Sequence, residues 1–114
     1  MNIRVYEVTG ENAMTREAGE KLYAVIHPLL LGDQEVALDF SDVKRHLTVF
    51  FNFAIGQLYR DISADKVRAI QVSNLSPVGV NTLNQVHNTA QQYYSDETYR
   101  QAVNSLVEEQ SICL

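Results

Sequence analysis

The chain has 114 residues, 46% of them apolar and 20% charged, with a formal net charge of −5. That length fits one domain spanning 1–114, and nothing in the composition suggests disorder. The acidic balance argues against nonspecific nucleic-acid binding, which needs a clustered basic face, and it permits a basic protein partner.

Cys113 is the single cysteine and stands next to the C-terminal residue, so it has no internal disulfide partner and does not fit a prenylation motif. His27, His46 and His87 share no metal-ligand spacing, so neither a metal nor a cofactor is expected. No basic region followed by an apolar run opens the chain, and no apolar stretch approaches the ~20 residues of a membrane helix. The expectation is a cytoplasmic protein without membrane contact.

Alternation in Ile3-Arg4-Val5-Tyr6-Glu7-Val8 predicts a strand over 3–8. A helix follows from Thr15, its N-cap, with Glu17 in the first turn and Ala18, Leu22, Val25, Ile26 and Leu29 recurring at three and four residues. Pro28 ends or kinks it, and Gly32 closes it. Residues 35–40 read as a central strand covered on both faces. Residues 48–59 read as a largely buried helix, because Phe50, Phe51, Phe53, Ala54, Ile55 and Leu58 nearly encircle it.

A third strand is predicted over 66–72. Ser76 as N-cap and Pro77 at the first position then open a helix with Val80, Leu83, Val86 and Ala90 as its buried stripe. Ser95-Asp96-Glu97 opens a last helix, with Tyr99, Ala102, Val103, Leu106 and Val107 as its apolar face. The order β-α-β-α-β-α-α predicts an α/β domain: a small, mostly parallel sheet flanked by about four helices.

The functional reading rests on Val36-Ala37-Leu38-Asp39-Phe40-Ser41-Asp42-Val43 and on Leu47-Thr48-Val49-Phe50-Phe51-Asn52. A strand ends in an acidic turn, and a hydroxyl residue then opens an aromatic-rich helix. Thr48 reads as a phosphoacceptor or anion-sensing cap, or as a plain N-cap worth ~1 kcal/mol. Asp39 reads as a carboxylate at the C-terminal end of a strand, where α/β sites form, or as an acceptor for loop amides near Ser41 to Val43. No second carboxylate and no nucleophile–base spacing accompanies it, so no catalytic residue is assigned and no enzyme is expected.

Ser41, Asp42, Lys44, Arg45, His46, Phe50, Asn52 and Asn74 complete the candidate partner-binding or structural edge. Lys44, Arg45 and His46 either hold an acidic group or form a solvated loop. Asn52 and Asn74 either satisfy backbone groups or bind a ligand. Gly19, costly inside a helix, is read as allowing close helix–sheet packing. Tyr93, Tyr94 and Tyr99 pack a corner or anchor an interface.

The segment Leu38-Asp39-Phe40-Ser41-Asp42-Val43 resembles the STAS domains of anti-sigma-factor antagonists, with Thr48 at the position of their phosphorylatable hydroxyl. Leu47 and Phe50 stand where that family has an acid and a glycine. The chain is more similar to the STAS-like group DUF4325. That likeness rests on Arg16-Glu17-Ala18-Gly19, Val36-Ala37-Leu38-Asp39-Phe40, Thr48-Val49-Phe50-Phe51-Asn52 and Val72-Ser73-Asn74-Leu75-Ser76, and it runs from Arg16 to Val86.

The resemblance implies a STAS-like fold and a non-enzymatic bacterial regulatory domain. Its partner would be a protein, a regulator or kinase-like ATPase, bound along the edge from Lys44 to Phe51. The alternative is an immunity or antitoxin protein that blocks a basic toxin. A nucleotide-binding module ranks last, since no glycine-rich loop follows the first two strands. The last helix covers its own domain or a second copy, so a homodimer stays open.

Overall fold

The computed structural model describes residues 1–95. In chain order it contains β1 (Asn2–Arg4), α1 (Val5–Thr9), β2 (Asn12–Ala13), α2 (Arg16–Leu31), β3 (Ala37–Asp39), β4 (Arg45–His46), α3 (Thr48–Ala54), a 3₁₀ turn (Gly56–Arg60), α4 (Ala64–Arg68), β5 (Gln71–Ser73) and α5 (Pro77–Ser95). A parallel sheet runs in the order β1-β3-β5, and β2 and β4 form a second parallel pair. The α/β class with a small parallel sheet is therefore as expected. Helix α5 is described as far as Ser95, and the last expected helix, with Tyr99 and its stripe, lies outside the described residues.

The first strand is shorter than its alternation predicts. It pairs with β3 over Asn2↔Ala37, Ile3↔Leu38 and Arg4↔Asp39, and the chain then turns helical. Val5 and Val8 share the inner side of α1 while Tyr6 and Glu7 are exposed, a spacing that suits one helical turn. Gly10, at φ 75, ends it and donates its N–H to the Tyr6 carbonyl at 2.8 Å.

Helix α2 begins as the sequence indicates, with Thr15 Oγ1 accepting from the Ala18 N–H at 3.1 Å. Pro28 does not end it. The helix runs on to Leu31, and the Gly32 N–H closes it on the Pro28 carbonyl at 3.1 Å. Its buried side is Ala18, Gly19, Leu22, Ile26 and Leu30.

The close approach that Gly19 permits is to a helix and not to the sheet. A Cβ there would lie 2.7 Å from the Phe50 carbonyl oxygen and 2.8 Å from Phe53 Cβ. The Arg16 guanidinium lies 4.8 Å from the centroid of the Phe53 ring. The Arg-x-x-Gly motif is thus the seam between α2 and α3.

Strand β3 is covered more on one face than on the other: Val36, Leu38 and Phe40 are buried, while Ala37 and Asp39 are half-buried. The helix predicted over 48–59 splits at Ile55 into α3 and the 3₁₀ turn. Gly56 sits at the break, and a Cβ there would be 3.5 Å from Val86 Cγ1 and 3.7 Å from Ala90 Cβ. Packing against α5 favours the tighter turn over a glycine-weakened helix.

The first three residues of the strand predicted over 66–72 belong instead to α4, and the next two to the turn after it. Asp65 in its first turn and Lys66 and Arg68 in its last complement the helix dipole, and Val67 is fully buried. Only Gln71–Ser73 pairs with β3. In α5 the stripe holds at Leu83, Val86 and Ala90, but Val80 is exposed. The core runs unbroken from Ile3 through Phe50, Phe51 and Leu58 to Ala90.

Candidate functional site

Parallel pairing brings the C-terminal ends of β3 and β5 to one edge, and with them Asp39 and Asn74. Asp39 Oδ1 accepts from the Ser41 N–H at 2.9 Å, the Ser41 hydroxyl at 2.6 Å and Asn74 Nδ2 at 2.9 Å. Asn74 Nδ2 also donates to Ser41 Oγ at 3.0 Å. These donors, the Ser41 hydroxyl first, then the Asn74 amide and the Ser41 N–H, hold the Asp39 carboxyl down at about 2.

The turn is built for this cluster. Asp42 and Asn74 adopt left-handed backbone at φ 68 and φ 58, a region asparagine and aspartate tolerate. The Val43 N–H bonds the Phe40 carbonyl at 3.1 Å, and the Phe40 N–H bonds the Ser73 carbonyl at 3.0 Å. Arg4 of β1 forms an exposed ion pair with Asp42. Ser41 and Asn74 thus meet Asp39, Asn74 on a carboxylate and a hydroxyl and not on backbone groups, while Asp42 pairs with Arg4; Arg4 was missed, because nothing in the sequence ties 4 to 42 before the register of β1 on β3 is known.

The stretch from Lys44 to His46 is not a free loop. Lys44 and Arg45 donate their backbone N–H to the Glu11 carbonyl at 2.8 and 3.2 Å, and the Leu47 N–H reaches Ala13 O at 3.1 Å. The Lys44 ammonium lies 3.8 Å from the Glu11 carboxylate, both exposed, and Arg45 is exposed. His46 Nε2 lies 3.2 Å from Ser76 Oγ, and Ser76 Oγ caps α5 by accepting from the Gly79 N–H at 3.1 Å. A Cβ at Gly79 would come 2.6 Å from Leu75 Cδ1 and 2.9 Å from His46 Nε2, so both side chains would have to shift to admit one.

The helix cap differs from expectation. Leu47 is the N-cap of α3 and Thr48 its first helical residue, without a side-chain cap bond. Leu47 is 47% exposed and Thr48 is exposed. Phe50, Phe51 and Ala54 behind them are fully buried. Phe50 is therefore core, not contact surface, and Asn52 is half-buried. Phe51 packs, tilted or edge-on, against Phe40 at 6.0 Å, His46 at 5.7 Å and Phe50 at 5.3 Å between ring centroids. Buried aromatics fix the helix, and Leu47 and Thr48 stand at its rim.

A cavity of about 410 Å³ lies at the opposite edge of the sheet, around Asp33, Glu35, Val36, Lys66 and Gln71, and none of Asp39, Thr48 and Asn74 lines it. A separate buried pair joins Tyr59 Oη to His87 Nδ1 at 2.6 Å. Burial, with the Arg68 charge second, pushes His87 down to about 4. Tyr93 and Tyr94 meet edge to face at 4.7 Å. Among the described residues no group of three or more His, Cys, Asp or Glu side chains is placed to hold a metal ion, and no helix is long and apolar enough to cross a membrane.

Residues 18–79 match a family model described as a STAS-like domain of unknown function, DUF4325. The chain belongs to this family. In this STAS-like chain the matched region runs from the first turn of α2 to the first turn of α5 and encloses Asp39, the rim at Leu47 and Thr48, and Asn74. No curated protein and no solved structure matches the chain.

Proposed function

We propose that the chain is a non-enzymatic regulatory domain, similar in action to anti-sigma-factor antagonists, that docks a protein partner over Lys44, Arg45, Leu47 and Thr48. The observation that carries this reading is an exposed leucine and an exposed hydroxyl held at the start of a helix whose other side is fully buried. Leu47 supplies an apolar contact at a fixed position, and Lys44 and Arg45 supply positive charge beside it. A kinase-like regulator is the partner class that the family resemblance favours.

Phosphorylation of Thr48 would add nearly two negative charges next to Leu47 and break an apolar contact made there. Asp39 does not argue for catalysis: with its carboxyl held at about 2 it is ionised at neutral pH and is a poor proton donor or acceptor.

The test is affinity capture from the native host with the wild-type chain, Leu47→Asp, Thr48→Ala and Thr48→Glu. A partner retained by wild type and Thr48→Ala, and lost with Leu47→Asp and Thr48→Glu, is the expected result; phosphate on Thr48 is read from the same samples by mass spectrometry. Unchanged capture by Thr48→Glu and Leu47→Asp sinks the proposal.

A further inference from the structure

A second feature lies between α2 and the segment formed by α3 and the 3₁₀ turn. Its two walls carry the same spacing, Arg16, Glu20 and Tyr23 on one and Phe53, Gln57 and Arg60 on the other, and enclose about 250 Å³. The first triplet steps by four and three residues along α2, which places it on one face of that helix, and the second comes from α3 and the 3₁₀ turn on either side of Ile55. Gly19 brings the walls together, as the 2.7 and 2.8 Å approaches of its missing Cβ show.

The ends of the cleft are alike. At one end the Arg16 guanidinium covers the Phe53 ring at 4.8 Å, and Arg16 Nε donates to Glu20 Oε1 at 2.7 Å. At the other end Arg60 and Tyr23 line the cleft together, and the Tyr23 side chain favours the charged form of Arg60. Asp61, next to Arg60, is bonded to His27 Nε2 at 2.8 Å, and the His27 ring stacks on Tyr23 at 5.0 Å. From Arg16 to Tyr23 the seven residues of α2 advance about 10 Å, so Arg16, over Phe53, and Arg60, beside Tyr23, mark the two ends of a short cleft with aromatic rings along it.

We propose that this cleft binds a small ligand with two carboxylates joined by a short apolar chain, one head on Arg16, the other on Arg60, and the chain across Phe53 and Tyr23. A guanidinium presents five donors in a planar fork that matches a carboxylate. Arginine stacked on an aromatic ring is held in place before the ligand arrives. The volume lies just below the usual range of drug-sized pockets, which suits a short diacid. Glu20 and Arg16 form an exposed pair at i, i+4, a weak contact that a two-headed anion displaces readily. The inference does not rest on the docking reading, since none of its residues lies between Lys44 and Thr48.

The same chemistry has two sources, a free diacid and a pair of acidic side chains on a partner peptide. Nuclear magnetic resonance titration of the full chain separates them, with succinate, glutarate, adipate and a short peptide carrying two glutamates as probes. Chloride and inorganic phosphate at matched ionic strength are the controls. Saturable shifts of the Phe53 and Tyr23 ring signals are expected with a diacid or with the peptide, and whichever binds more tightly assigns the source.

Arg16→Gln and Arg60→Gln each weaken binding roughly tenfold or more. Arg60→Lys keeps the charge and still weakens it, because the fork is lost. Glu20→Gln, which leaves both arginines in place, tightens it. No saturable shift up to about 10 mM, a range that registers even a weak complex, overturns the proposal. So does an equal response to chloride, or unchanged affinity in natively folded arginine variants.

Discussion

The corner at Asp39 and the rim at Leu47–Thr48 lie on successive turns of one segment, yet they treat their side chains in opposite ways. At the corner, three donors converge on one carboxylate oxygen and Asn74 closes the cluster. At the rim, buried aromatics hold the helix while Leu47 and Thr48 remain exposed. The contrast teaches that position at the C-terminal edge of a parallel sheet is not enough to mark a site. A carboxylate with one oxygen held by Ser41 of its own turn and by Asn74 is a staple between β3 and β5, whereas an exposed group on a rigid support is available to a partner.

The support is where the largest effect is expected. Phe51→Ala removes a fully buried ring packed on Phe40, His46 and Phe50. It should cost about 3–5 kcal/mol in denaturant unfolding and lower partner binding through the rim. A loss below about 1 kcal/mol would mean that the rim is not held by this core.

Acid should act first on His87 and only later on the Asp39 corner. The His87 value in the folded chain, about 4, lies below its ordinary 6.5, so the unfolded chain takes up the proton first. Stability is therefore full above about 6.5 and falls as pH drops to about 4, by about 3 kcal/mol in all. His87→Gln should flatten that window in unfolding curves measured from pH 7 to 4. Asp39 is also lowered, from 3.8 to about 2, so its contribution is complete above 3.8 and is lost only below it. A single transition spanning both windows unchanged in His87→Gln would refute the separation.

Asn74 tests the staple itself. Asn74→Ala removes two hydrogen bonds and leaves alanine at φ 58, and should cost about 1–2 kcal/mol. Asn74→Gly restores the backbone freedom but not the bonds, so it should fall between alanine and wild type. Equal stability of glycine and wild type would mean that only the backbone turn matters. Leu47→Asp and Thr48→Glu give the smallest stability effect, within about 0.5 kcal/mol, so any loss of partner by these variants reads as surface and not as unfolding.

Caps and periodic helices were legible because their signals are local. Thr15 and Ser76 cap α2 and α5 through their own side chains, and the run of apolar residues around Phe50 announced a buried helix. The cluster of Asp39, Ser41, Asp42 and Asn74 was found as an edge from strand ends and turn residues. Its bonds were not, since 39 and 74 meet only through the parallel register Leu38↔Val72 and Asp39↔Ser73. The false strands over 5–8 and 66–68 fail for a related reason: short runs with strand-like residues fold as helices when no partner strand extends beside them.

By itself, then, the sequence determined the α/β class, the order of the main strands and helices and the location of the acidic turn, because periodicity and capping act within a few residues. Tertiary structure alone decided what those parts do to each other. Register made Asp39 a staple, and the tight seam at Gly19 set Arg16 against Phe53. Burial of Phe50 turned a predicted contact residue into core and left Leu47 and Thr48 as the exposed rim. Each of these depends on which surfaces meet across the fold, and that pairing is carried by distances between residues far apart in the chain.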